Sequence, residues 1–219
     1  MFEYRGIKIT WFGHDSFSLE KGTRILTDPY QLSKGMEADI ILVSHNHFDH
    51  LSLVDMKKVS SNKTTIVAAK ECIDKLENIS CKDAVGLAPG EEVIVLGVKI
   101  KAVAAYNLDK INPDTRKPFH PKEDSKVGFL ITMGGVTIYH TGDSDLIPEM
   151  EDLHPDVLLI PVSGTYVMTS REAAQAVGRI KPKLAIPMHF GSIVGGVQDA
   201  EDFKRAVKGC EVQILQKEA

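Results

Sequence analysis

Residues 40–50, Ile-Ile-Leu-Val-Ser-His-Asn-His-Phe-Asp-His, constrain this chain more than any other stretch. The run Ile40–Val43 is apolar without alternation, as in a strand covered on both faces, so the fold needs layers above and below a sheet. The run then stops, and His45, His47, Asp49 and His50 follow at once. Imidazole nitrogen and carboxylate oxygen are donors that suit zinc, iron or manganese. A strand ending just before them sets them at a sheet edge, open to substrate. His45 and His47, two apart, can point to one ion, while Asp49 and His50 turn towards a second. A polar surface turn that merely contains histidines does not account for so dense a cluster.

The remaining elements alternate in kind. Ile7, Ile9, Trp11, Phe17, Leu19, Ile25 and Leu26 follow a period of two, which predicts a β-meander with Lys21-Gly22 as a hairpin turn. Helical spacing appears at Leu51, Val54 and Val59, then at Cys72, Ile73 and Leu76. Strands are predicted over 93–96, 98–104, 127–132, 136–139, 157–160 and 184–186. Thr169-Ser170-Arg171-Glu172 is a capping box that opens a helix, and Asp199 is expected to cap another that ends at Gly209. Residues 107–125, rich in Asn, Asp, Pro and Lys, form the one long loop, and long loops inside compact domains carry function or are disordered. Without a composition break, residues 1–219 read as one α/β domain.

Composition excludes several classes. With 26 Lys+Arg against 30 Asp+Glu the net charge is −4, so a nucleic-acid partner has no electrostatic warrant. No apolar run approaches the length of a membrane span. The first residues show no basic region followed by an apolar one, and Cys72, Cys81 and Cys210 are odd in number, so a cytoplasmic protein without disulfides is expected. There is no G-x-S-x-G, G-x-x-x-x-G-K or G-x-G-x-x-G, which removes serine-nucleophile and common nucleotide sites.

Two further segments repeat the pattern of a strand ending in a metal-type residue: 136–139 leads to Thr141-Gly142-Asp143, and 184–186 leads to Pro187-Met188-His189. Three strand ends converging on one point would gather His45, His47, Asp49, His50, Asp143 and His189. A carboxylate such as Asp143 can bridge two ions about 3.5–4 Å apart.

The chain thus resembles the metallo-β-lactamase superfamily, whose signature is H-x-H-x-D-H followed by a distant G-D and a later lone His. Thr27-Asp28-Pro29 adds to the likeness. Trp11-Phe12-Gly13-His14-Asp15-Ser16-Phe17 and Gly164–Thr169 resemble the ascorbate-6-phosphate lactonase-like branch. The resemblance implies a four-layered αββα sandwich with the metal site at one edge, between two sheets. It implies His45 and His47 on the first metal, Asp49, His50 and His189 on the second, and Asp143 between them. One departure stands out: the superfamily usually adds a histidine at the end of a middle strand, and Val103–Asn107 holds none. His120, in Pro118-Phe119-His120-Pro121, is expected to swing in as the replacement; otherwise the first metal is under-coordinated.

The implied chemistry is hydrolysis by a metal-bound hydroxide, formed because cations lower the pKa of water from about 15.7 towards neutrality. Asp49 would orient the nucleophile as well as bind metal, and His14 would ligate or protonate the leaving group. Asp28 would orient a metal-binding histidine. His140 reads as a packing residue, His154 as a solvated one, and Tyr106 and Tyr166 as half-buried aromatics within reach of substrate. Lactones, phosphorylated sugar derivatives and phosphodiesters are the implied small-molecule substrates, and Lys110, Arg116, Lys117 and Lys122 could attract an anionic one. One or two divalent ions, zinc above manganese or iron, are the expected cofactors, and a homo-oligomer is compatible with the resemblance. Two rivals remain at this point: a di-iron redox protein on the same scaffold, which normally carries an added flavin domain, and a metal-binding module without catalysis.

Overall fold

The computed structural model describes residues 1–218. Alternation at the start of the chain builds four antiparallel strands, β1 (Phe2–Tyr4), β2 (Ile7–Gly13), β3 (Ser16–Lys21) and β4 (Thr23–Thr27). Gly22, at φ 77°, closes the β3–β4 hairpin where Lys21 faces Thr23. The pairing then turns parallel through β5 (Ile40–Val43), β6 (Thr65–Ala69) and β7 (Asp83–Leu87), giving a seven-stranded sheet in sequence order. Every residue of β5 and β6 is buried, as an unalternated apolar strand requires. Helix α1 (Leu53–Val59), capped by Ser52, and a 3₁₀ segment (Lys70–Leu76) make the crossovers.

The second seven-stranded sheet mirrors this plan. Antiparallel β8 (Glu92–Val95), β9 (Val98–Ala104), β10 (Val127–Met133) and β11 (Val136–His140) lead into parallel β12 (Val157–Pro161), β13 (Leu184–Met188) and β14 (Glu211–Val212). Helix α2 (Ser170–Ile180) begins with the predicted capping box, Thr169 accepting from the Glu172 amide and Glu172 from the Thr169 amide. Helix α3 (Val197–Ala206) corrects the sequence reading: its cap is Gly196, and it ends at Ala206 rather than at Gly209. Asp199 lies inside the first turn and accepts from the Gly196 amide at 2.8 Å. An acidic side chain stabilises a helix start from either place, so composition alone does not separate them.

With α1 and the 3₁₀ segment on one sheet and α2 and α3 on the other, the architecture is an αββα sandwich. Ile9, Phe17, Leu19 and Ile40 share one apolar core with Phe129, Ile131, Ile138 and Leu159. The sheets touch at one edge, where the Val127 amide donates to Ser44 O at 3.1 Å. Gly142, at φ 60°, turns the chain there; a Cβ on it would lie 2.8 Å from Val127 O and 3.3 Å from Ser44 Cβ. Only glycine fits so close an approach.

Candidate metal centre

The ends of β5, β11 and β13 meet at that seam and bring the sequence-predicted residues together. Nitrogens of His45, His47 and His120 lie within 4.8 Å of one another, and so do donor atoms of His14, Asp49, His50 and His189. Asp143 lies between the two groups. Its Oδ2 is 3.4 Å from His50 Nε2, 3.3 Å from His120 Nε2, 3.3 Å from His189 Nε2 and 4.0 Å from His45 Nε2. His120 thus stands beside His45, His47 and Asp143, although the long loop and not the middle strand carries it.

The histidines are held by their outer nitrogens. Asp28 accepts from Ser44 N at 2.7 Å and Ser44 Oγ at 2.6 Å, and it faces His50 Nδ1 at 2.9 Å. The same Ser44 Oγ is 2.9 Å from His45 Nδ1, so one Asp–Ser pair orients a ring in each group. Ser163 Oγ holds His189 Nδ1 at 2.9 Å, and Asn107 Oδ1 holds His120 Nδ1 at 2.9 Å. The Asn107 amide nitrogen donates to Tyr166 O, which fixes Oδ1 as the atom facing His120. An amide oxygen only accepts, so Nδ1 carries the proton and His120 Nε2 presents its lone pair.

The inward nitrogens His50 Nε2, His120 Nε2 and His189 Nε2 are buried without a hydrogen-bond partner, as is Asp143 Oδ1. Such groups are costly to bury unless something binds them. Around them stand the carboxylates of Asp15, Asp28, Asp49 and Asp143, whose ion-pair partners among the described residues are all histidines. Anchored rings with free inward nitrogens, and carboxylates without lysine or arginine, are what a divalent cation site requires. The residues present fit one or two such ions.

Burial pushes His14 and His47 down to about 4, so both stay neutral at pH 7. Burial would push His189 the same way, but the Asp143 and Asp15 carboxylates outweigh it and raise His189 to about 9. For Asp49 burial is outweighed by the His14 hydrogen bond and the nearby His50, so the carboxyl sits below its ordinary range. His14 Nε2 lies 3.0 Å from Asp49 Oδ2. The His14 carbonyl accepts from the Trp11 indole at 2.8 Å and from the His189 amide at 3.2 Å, which ties the Trp-Phe-Gly-His turn to the far sheet.

Reading the sequence for donors missed Ser44, Ser163 and Asn107, which look like ordinary polar residues until their neighbours are known. Asp15 was missed too. It is fully buried with both oxygens unpartnered, and burial drives its carboxyl well above the usual range. Its signal was its place between His14 and Ser16. Asp28 orients His50, as expected. His140 packs in the interior with Nε2 2.9 Å from Asp15 O, and His154 is exposed. Tyr106 turns its hydroxyl to Glu149, whereas Tyr166 lines the cavity over the centre with Phe119.

Fold and donor set together define a metallohydrolase scaffold, and comparison with known proteins agrees. The chain belongs to the metallo-β-lactamase superfamily and, within it, to the UPF0173 metal-dependent hydrolases: the beta-lactamase superfamily domain matches residues 8–189. It is 33% identical over 227 residues to the UPF0173 metal-dependent hydrolase of Archaeoglobus fulgidus, covering 95% of each chain. A crystal structure of a candidate metal-dependent hydrolase from Parabacteroides distasonis superposes with a TM-score of 0.81 at 31% identity, covering 96% of this chain and 94% of that one. A candidate zinc-dependent hydrolase from Thermotoga maritima gives a TM-score of 0.63 at 26% identity, over 95% and 97% of the two chains.

Proposed function

We propose that the protein hydrolyses a lactone, phosphodiester or related ester bond, with His45, His47 and His120 holding one divalent cation, Asp49, His50 and His189 a second, and Asp143 between them. The observation that carries this reading is the set of buried inward nitrogens, His50, His120 and His189 Nε2, left free while each outer nitrogen is anchored. Ions held there supply Lewis acidity and an activated water at neutral pH. Zinc is the favoured ion for this nitrogen–oxygen set; manganese and iron accept the same donors.

The chain's own groups do the rest. Asp49, ionised and partly open to the cavity, accepts a hydrogen bond from the attacking water and aims it at the substrate. Neutral His14 donates Nε2–H to Asp49 and fixes that carboxylate, which takes the proton the attacking water sheds and passes it to the leaving oxygen. Retained Asp49 argues against a non-catalytic module, and the hydrolase names of the relatives favour hydrolysis over the redox alternative. The three cysteines are free, and among the described residues no helix is long and apolar enough to cross a membrane.

Mass spectrometry of untagged protein purified without chelators tests the centre: about two ions per chain are expected. Failure to retain any ion after reconstitution overturns the reading. Asp49→Ala should abolish turnover of simple lactone and phosphodiester substrates while the fold persists.

A further inference from the structure

The cavity above the centre encloses about 560 Å³, within the range of small-molecule sites. Its floor is His47, Asp49, His120 and Asp143, and its walls are Phe48, Phe119, Tyr166 and Ile193. Phe48 is 68% exposed and Ile193 39%, so the lining joins two apolar side chains open to solvent to the aromatic pair. Phe119 and Tyr166 meet edge to face, with centroids 4.7 Å apart. None of the residues lining this cavity is a lysine or arginine.

The cations nearby in sequence are spent elsewhere. Lys110 binds Asp109, Glu172 and Asp145, at 2.6, 2.9 and 3.4 Å. Lys122 binds Glu149 at 2.9 Å, and buried Lys126 binds Glu71 and Asp124. Arg116 and Lys117 are exposed at the tip of the long loop and do not line the cavity. A phosphorylated substrate carries charge away from its reacting bond, and such sites meet it with fixed cations or backbone amides. The wall here offers aromatic and aliphatic surface, with Asn46 as a neutral polar group.

We propose that the substrate is an uncharged lactone or carboxylic ester bearing a hydrocarbon or aryl substituent, which lies against Phe48, Phe119, Tyr166 and Ile193 while the carbonyl faces the centre. This rests on the hydrolytic reading above. Water adds to the carbonyl carbon, the acyl C–O bond breaks, and the leaving oxygen takes a proton. A lactone gives one hydroxy acid, an ester an acid and an alcohol.

The test uses zinc-reconstituted protein and a γ-lactone series from butyrolactone to dodecanolactone, beside p-nitrophenyl acetate, bis(p-nitrophenyl) phosphate and a phosphorylated sugar lactone. kcat/KM should rise by about fourfold for each methylene that the wall covers. The double variant Phe48→Ser/Ile193→Ser, altering two exposed side chains, should flatten that slope. Titration of unreactive 2-alkanones into metal-free protein should show the same dependence on length, with no turnover involved. A flat series, or preference for the phosphorylated lactone or the phosphodiester, overturns this inference and leaves the hydrolytic reading standing. Metal-loaded protein that turns over no member of the panel overturns both.

Discussion

Two stretches deliver imidazole to the same centre by opposite means. Residues 44–50 do it within a single turn: β5 stops, and His45, His47 and His50 fan out beside a strand end that Asp28 grips through Ser44. Residues 107–125 do it by excursion. His120 lies far along the chain from the end of β9, and its place depends on Asn107, on the Asn107 amide donating to His120 O, and on Asp145 accepting from the amides of Leu108 and Asp109. The turn is positioned by local backbone and the loop by pins from elsewhere, so damage to the pins should cost one ion rather than both.

The sharpest challenge to that contrast is Asp28→Ala. It removes the acceptor for Ser44 and the orienter of His50, so affinity should fall about 100-fold for both ions. Competition against a chelating dye reads this, and loss of only one ion would break the comparison. Proton linkage should be nearly as large. In metal-free protein His189 titrates near 9 and is charged at pH 7, whereas a ligand must be neutral, so binding expels a proton and affinity rises from pH 7 to about 9. The His189 pKa is raised above its ordinary 6.5, so the stability it contributes to the metal-free fold is full below 6.5 and lost as pH climbs through 9. Titration calorimetry in buffers of different ionisation enthalpy, with thermal melts of metal-free protein across that window, checks both signs.

Asn107→Ala should weaken one ion by about tenfold and leave the other unchanged. Hydrogen exchange should quicken in 107–125 but not in 44–50. Smallest in its effect on the metal, Lys110→Met takes a mostly buried ammonium away from Asp145 and Glu172 and should cost about 1–3 kcal/mol of stability. Its effect should show in urea midpoints and in the loop's exchange, with metal content intact.

The same contrast governs what could be read from the chain. The histidine turn was legible because its donors are neighbours, and β5 because it lacks alternation. Asp143 and His189 were legible because each follows an apolar run. Strands β6 and β7 escaped notice: Thr-Ile-Val-Ala-Ala is short and mixes good with indifferent strand formers, and Asp-Ala-Val-Gly-Leu carries an interior glycine. Asp15, Ser44, Ser163 and Asn107 gain their roles only when the two sheets meet. Lys110 looked like a lure for anions, yet two of its three carboxylate partners, Asp145 and Glu172, lie far along the chain and were invisible to local reading.

The tripeptide Asp143-Ser144-Asp145 serves both stretches at once. Asp143 points into the centre, while the Ser144 hydroxyl meets the Tyr106 backbone and Asp145 clasps the Leu108 and Asp109 amides of the loop. Substitutions in residues 105–120 and 143–145 should therefore depart from additivity. Exchange of parts between relatives would have to move both segments together: a graft carrying His120 onto a foreign Asp143 strand would arrive without its clasp.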